Sequence, residues 1–270
     1  MLKINSKSLA KKIRINSLKM VHKARASHIG SALSIADIVA VLYSEILKLN
    51  PSNVMDSSRD RFILSKGHAC VSVYSALHEM GFISKQEILT YGDDFSWLMN
   101  HVSHKVSGVE FSTGSLGHGL PVSVGKALAA KIHNKKWRVF VLLSDGEMDA
   151  GSNWEALMFA SHHELSNLTA IIDYNKLQSL DSVSNTLELE PLKEKLESFG
   201  CNVFQIDGHN HGSLKEALKF RHSKKPTVVI ANTVKGKGVS FMEGEVKWHY
   251  KNPNDEELKA GLLELEKDYA

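Results

Sequence analysis

Apolar residues recur along this chain with two different periods. Leu9, Ile13 and Val21 share one face of an early segment and predict an amphipathic first helix. Ser34-Ile35-Ala36-Asp37 reads as a capping box opening a second helix, which runs to about Leu47 before Asn50-Pro51 stops it. Phe62-Ile63-Leu64 is a short unbroken apolar run, hence a strand. After Lys66-Gly67-His68 a helical stretch extends from Ala69 to Met80, with Gly81 as its C′ residue. Ser84 and Glu87 form a further capping box before a short helix. Residues 93–117 have no clear period and carry their glycines late, so they are expected to form a long functional loop.

The later half is more regular. Val139 to Leu143 and Leu168 to Ile172 read as buried strands, separated by a helix entered at Ser152-x-x-Glu155. Val203 to Ile206 and Val228 to Ala231 are further strands, with a helix begun at Ser213-x-x-Glu216 between them. Strands alternating with helices at this spacing predict βαβ units and therefore an α/β fold with a doubly wound parallel sheet. No linker, repeat or low-complexity segment interrupts residues 1–270, so a single domain is expected, ending in a charged helix from about Asn254 to Tyr269.

Composition narrows the class without naming an activity. The 270 residues are 43% hydrophobic, which supplies a buried core and excludes a disordered or collagenous chain. A net charge of +3, with basic residues in short runs such as Lys11-Lys12 and Lys224-Lys225, gives no track for nucleic acid. Residues 1–25 lack the apolar block of a signal peptide and no run approaches a membrane span, so a soluble cytoplasmic protein that does not engage membranes is predicted. Cys70 and Cys201 sit in apolar segments and read as buried reduced thiols. The unusual feature is histidine: there are 14, several beside glycine.

Ligands of a doubly wound sheet bind beyond the carboxyl ends of its strands. The five predicted strands are followed by Lys66-Gly67-His68, Asp145-Gly146-Glu147, Asp173-Tyr174-Asn175, Asp207-Gly208-His209 and Lys235-Gly236-Lys237-Gly238. Taken singly each is an ordinary turn; together they describe a polar, glycine-lined edge suited to an anionic ligand. Asp145 and Asn175 lie one strand-helix-strand unit apart. A carboxylate and an amide oxygen from neighbouring strand ends, with the Leu177 carbonyl, offer hard oxygen ligands to Mg²⁺ or Ca²⁺, leaving other positions to phosphate oxygens.

From Ser27 to Pro253 the sequence resembles the transketolase family. The Asp145-Gly146 to Asn175 spacing is similar to the motif shared by enzymes that use thiamine diphosphate. Ser65-Lys66-Gly67-His68-Ala69, Gly108-Val109-Glu110, Gly114-Ser115-Leu116-Gly117-His118-Gly119 and Trp248-His249 resemble transketolase rather than the α chain of a 2-oxoacid dehydrogenase. The resemblance implies Asp145, Asn175 and the Leu177 carbonyl as metal ligands. It implies His68, Gly146 and His249 at the diphosphate, with Glu147 and His118 in the same cofactor-binding segments, and Gly114, Ser115 and Leu116 against the aminopyrimidine. His28, His101 and His249 are implied as the catalytic histidines that hydrogen-bond substrate hydroxyls and a carbonyl oxygen. Lys235 and Lys237 match more weakly, as aids to a phosphorylated sugar.

Family members of full length are more than twice as long. The resemblance therefore implies one subunit of a split transketolase, self-associating in an α2β2 assembly with a second chain that carries the pyrimidine-binding and C-terminal domains. That partner supplies the glutamate that protonates the aminopyrimidine. Two carbons would move as a ketol unit from a ketose to an aldose, either sugars or sugar phosphates. The chain departs from the family pattern at Ser144, Ile29, Val102 and Tyr250, and above all at Ala150, where many members carry a glutamate. Those departures raise two alternatives: a specialised transketolase acting on an unusual or nucleotide-linked sugar, and a non-catalytic cofactor-binding paralogue.

Overall fold

Five strands, β1 (Arg61–Leu64), β2 (Val139–Ser144), β3 (Leu168–Tyr174), β4 (Asn202–Asp207) and β5 (Thr227–Asn232), form one parallel sheet in the order β1-β2-β3-β5-β4 in the computed structural model, which describes residues 4–267. Every residue of β2 and β3 is buried, as central parallel strands covered on both faces require. Successive side chains alternate between two cores: Phe140 and Leu142 join Phe62, Leu64 and Val229 on one face, while Val139, Val141 and Leu143 join Ile63, Ala170 and Ile172 on the other.

The first core is covered by α1 (Ser6–Ala24), α2 (Ile29–Ser34), α3 (Ala36–Val41), α4 (Cys70–Glu79) and α5 (Lys85–Ile88). The second lies beneath α6 (Gly119–Ile132), α7 (Gly151–His162), α8 (Val183–Thr186) and α9 (Leu192–Ser198). The chain steps outward from β1 to β3, reaches the edge strand β4, then returns to β5. Because that return reverses direction, a right-handed crossover places α10 (His211–Lys219) on the opposite face from α9, and Leu214 and Leu218 enter the first core. The last helix, α11 (Asp255–Lys267), returns to pack Leu265 into that same core; Asp268 and Tyr269, the end of the expected terminal helix, lie outside the described residues.

Leu9, Ile13 and Val21 are fully buried along α1, as their spacing predicts. Gly81 ends the α4 segment with a φ of 84°. Ser84 and Glu87 make both bonds of a capping box, Glu87 N–H to Ser84 Oγ at 3.1 Å and Ser84 N–H to Glu87 Oε2 at 2.7 Å. The other three Ser-x-x-acid patterns are not caps. Ser34 is the last residue of α2, its hydroxyl taken by the Ser31 carbonyl and the Asp173 carboxylate, and Asp37 is claimed by Arg14. The expected second helix therefore begins at Ala36, with Ile35 rather than Ser34 at its cap position, and it reaches Leu47 only through a π-turn, Leu42–Ile46. Ser152 donates to the Gly117 carbonyl at 2.6 Å, leaving Ala150 at the head of α7. At α10 the cap is Asn210, whose side chain accepts from Ser213 N–H at 3.0 Å. Residues 93–117 contain neither helix nor strand, and the two cysteines are buried and unpaired.

Candidate functional site

The carboxyl ends of β1, β2 and β3 surround a cavity of about 270 Å³, closed by the start of α2, the 93–117 loop and a 3-10 turn at Val246–His249. The structure brings together there His28, His68, His101, Gly114, Leu116, Asp145, Gly146, Asn175, Leu177 and His249. Three residues expected at the cofactor are placed differently. Ser115 and His118 are exposed and do not line the cavity. Glu147 is fully buried behind it, accepting from Ser65 Oγ at 2.5 Å and Gly117 N–H at 2.9 Å, so its carboxylate ties the loop to the strand ends. The β4 turn also stands apart: His209 turns toward Asp37 rather than into the cavity. A larger hollow of about 510 Å³ between α5 and the loop holds none of the expected residues.

Asp145 is 2% exposed, and among the described residues its carboxylate accepts only two backbone N–H groups, from Gly146 at 2.8 Å and Lys176 at 2.7 Å. Burial, reinforced by the nearby Asp173 carboxylate, pushes its pKa up to about 7. A desolvated carboxylate in this position calls for a cation. Asn175 donates its amide to Asp173 Oδ2 at 3.0 Å, which directs Oδ1 toward Leu177 N–H. One carboxylate, one amide oxygen and one main-chain carbonyl form a hard-oxygen set that fits Mg²⁺ or Ca²⁺ with phosphate oxygens completing the shell. No group of three or more His, Cys, Asp or Glu side chains suited to a metal occurs among the described residues.

Below this set lies the best-connected side chain of the site. Asp173 is completely buried and accepts from Lys66 Nζ at 2.5 Å, Ser34 Oγ at 2.7 Å, Asn175 and the Thr233 hydroxyl. Burial alone would raise its pKa, but Lys66 and these donors outweigh it and hold the carboxyl below its ordinary range. Lys235, 1% exposed, donates to the carbonyls of Leu177 at 3.2 Å and Gln178 at 2.8 Å and lies 3.2 Å from His249 Nδ1. Burial and the neighbouring Lys66 lower its pKa to about 8.

Four imidazoles share the opposite wall. The His28 ring centroid is 5.1 Å from His68, 5.9 Å from His101 and 5.0 Å from His249. His28 has a φ of 74°, strained for a residue with a Cβ, and its buried Nδ1 has no partner among the described residues, so it is available to a ligand. Burial first, then mutual repulsion and the two lysines, lowers His28 to about 4 and His249 to about 3; His68 is also well below its ordinary value. Neutral rings that can donate an N–H and two buried ammonium groups favour an anion. At Gly114 an added Cβ would meet the His101 ring at 2.9 Å, so only glycine lets the loop approach this closely.

The sign of the resulting pH dependence is fixed. Above the unfolded histidine pKa of about 6.5 the rings are neutral in both states; as pH falls toward 4 these rings gain protons only in the unfolded chain, and together they outweigh the one proton that Asp145, with a pKa of about 7, takes up in the folded chain. The chain should lose stability over this window, at up to about 1.4 kcal/mol per pH unit for each such ring. Urea unfolding between pH 7 and 4.5 should give a shallower pH slope for H68Q than for wild type, and an unchanged slope would refute the account.

Lys66, read from the sequence as part of the polar strand-end edge, lines the cavity, as do Ser31, Ser144, Gln178 and Ser179, which were not expected as ligand residues. Ser144 ends β2 and Gln178 follows Asn175 by three residues, so extending those strand ends by a few residues would have reached them. Ser31 carried no signal. Tyr250 also lines the cavity, 59% exposed at its mouth, its ring centroid 4.8 Å from that of His249.

Residues 5–265 match the family model described as transketolase, thiamine diphosphate binding domain. The chain is 43% identical to one of the subunits of the apulose-4-phosphate transketolase of Actinobacillus succinogenes, over 88% of this chain and 87% of that protein. It is 37% identical to the 6-deoxy-6-sulfo-D-fructose transketolase subunit SqwG of a Clostridium species, over 96% of this chain and 95% of that one. Among solved structures, transketolase from Campylobacter jejuni superposes with a TM-score of 0.92 at 31% identity, covering 97% of this chain and 42% of that one. The chain thus spans about two fifths of the solved transketolase it matches.

Proposed function

Since the chain belongs to the transketolase family, we propose that it is the diphosphate-binding subunit, folded as one domain, of an enzyme that moves a two-carbon ketol unit from a ketose to an aldose. The observation that carries this reading is the convergence of Asp145, Asn175 and the Leu177 carbonyl with His28, His68, His101 and His249 on a single cavity. When bound, thiamine diphosphate supplies the carbanion chemistry of ketol transfer. Asp145, Asn175 and Leu177 would hold Mg²⁺ or Ca²⁺ against the diphosphate, with Lys66 and Lys235 balancing its charge and the neutral His68 ring offering it an N–H donor. His28, His101 and His249, kept neutral by burial, each present one N–H donor and one acceptor nitrogen. They can orient sugar hydroxyls, donate to a developing alkoxide and take up a proton there.

A partner chain carrying the pyrimidine-binding and C-terminal domains completes the site, in an α2β2 assembly in the cytoplasm. Two observations support a partner. Relatives of nearly the same length are named as subunits. In addition, α7, which follows the Asp145 turn, presents Met158 and Phe159 at 59% and 41% exposure, an apolar face without a cover. The relatives act on unusual sugars by name, and the Tyr250 ring narrows the cavity mouth, so a specialised sugar or sugar phosphate is favoured over the ordinary pentose phosphates.

Calorimetric titration with thiamine diphosphate and Mg²⁺, with and without the product of an adjacent pyrimidine-domain gene, tests this reading. Binding in the mixture and ketol transfer from a panel of ketoses are expected only when both chains are present. Full activity from this chain alone would overturn the split enzyme, and binding without transfer would establish a non-catalytic paralogue.

A further inference from the structure

The β4 turn, Asp207-Gly208-His209, lies at the ligand edge of the sheet but does not enter the cavity, and the buried Asp37 beneath it has no part in the chemistry described above. Asp37, 4% exposed on α3, accepts four hydrogen bonds: Arg14 Nη1 at 3.1 Å, Arg14 Nη2 at 2.6 Å, His209 Nδ1 at 2.8 Å and His211 Nε2 at 3.0 Å. The bidentate guanidinium alone neutralises the carboxylate, so charge balance does not account for the histidines. The second nitrogen of His209 does: Nε2 accepts from the Val234 N–H at 2.9 Å, which makes the ring neutral with its proton on Nδ1. Arg14 spends its remaining arm in the same place, Nε donating to the Lys237 carbonyl at 2.9 Å.

Val234 and Lys237 flank Lys235. One buried carboxylate thus orients two side chains whose far nitrogens grip the main chain on either side of that lysine. Between the grips, Gly236 donates its N–H to Gly30 O at 3.0 Å with a φ of 83°, and a Cβ there would come within 2.2 Å of Met242 O. The segment has no freedom to relax, and the Lys235 ammonium is delivered to Leu177 O, Gln178 O and His249 Nδ1.

We propose that His209, oriented by Asp37, is a positioning residue that fixes Lys235 in the cavity wall. The positioning is independent of the transferase reading; its consequence for diphosphate binding rests on that reading. Removing the His209 ring frees Val234 N–H and lets the lysine leave its carbonyls.

The test is the acetylation rate of Lys235 in the full chain, mapped by mass spectrometry under native conditions. H209A should raise that rate at least tenfold, with D37N intermediate. H209Q, which retains an acceptor for Val234 N–H, should restore most of the protection and serves if the alanine variant does not fold. L18A, which destabilises the same core without touching the network, should leave the rate near wild type. An unchanged rate in H209A and H209Q, or an equal rise in L18A, would overturn the proposal. Calorimetry with inorganic diphosphate and Mg²⁺ then separates the two readings. A tenfold loss of affinity in H209A but not L18A supports both, whereas increased labelling with no diphosphate binding by wild type keeps the positioning and removes the diphosphate site.

Discussion

Asp145→Ala should weaken Mg²⁺-dependent thiamine diphosphate binding by about a hundredfold, or about 2.8 kcal/mol, while leaving the unliganded chain more stable than wild type. The two effects have one cause. The carboxylate is buried with only two main-chain N–H donors, so the fold bears its desolvation without a cation to offset it. The substitution removes that cost from the free protein and removes the charge that a divalent ion would need. Calorimetry should show the lost affinity, and thermal unfolding should show a midpoint raised by a few degrees. Asp145→Asn, which keeps the shape, should behave similarly in binding. A variant that bound cofactor normally, or was destabilised on its own, would exclude Asp145 as the metal ligand.

Lys66→Met is expected to cost about 3–5 kcal/mol of folding stability, a large share of the total for a domain of this kind. Lys66 and Asp173 are 1% and 0% exposed and 2.5 Å apart, so methionine leaves a fully buried carboxylate without its ion-pair partner. The double variant K66M/D173N should recover most of the loss, because an amide in place of the carboxylate no longer needs a counter-charge. Urea unfolding of the four proteins in a double-mutant cycle measures the coupling. If K66M alone loses less than about 1 kcal/mol, water or Lys235 compensates Asp173 and the Lys66 pair does not stabilise the fold. D173N should also impair metal binding, since Asp173 Oδ2 holds the Asn175 amide in its orientation.

What could be read from the sequence follows from how each feature is encoded. The central strands were legible because burial on both faces demands unbroken apolar runs, as in Val139 to Leu143 and Leu168 to Ile172. The strand-end residues followed, since a parallel sheet sends all its carboxyl ends to one edge. Caps were less legible. Ser84 caps because nothing else competes for its hydroxyl, whereas the same spacing at Ser34 and Ser152 is overruled by partners distant in sequence, Asp173 and the Gly117 carbonyl. Asp173 itself sits at the end of an apolar strand and looked like a turn residue. Only the fold brings Lys66, Ser34 and Thr233 to it, from three separate segments. Glu147 reads as a ligand beside Asp145, yet the 3-10 turn Gly146–Asp149 points it inward to the loop.

That inward carboxylate bears on the thermodynamics of ligand capture. Glu147 fastens Gly117, Thr113 Oγ1 donates to Leu64 O at 2.5 Å, and Val102 N–H donates to Gly67 O at 3.2 Å, so the long irregular segment is anchored near its middle and twice toward its C-terminal end. A segment already immobilised forfeits little conformational entropy when a ligand arrives, and no new apolar surface is buried by its closing. Association should therefore show a heat-capacity change no larger than the ligand's own contact area requires, and hydrogen exchange across residues 100–117 should be slow before the ligand is added.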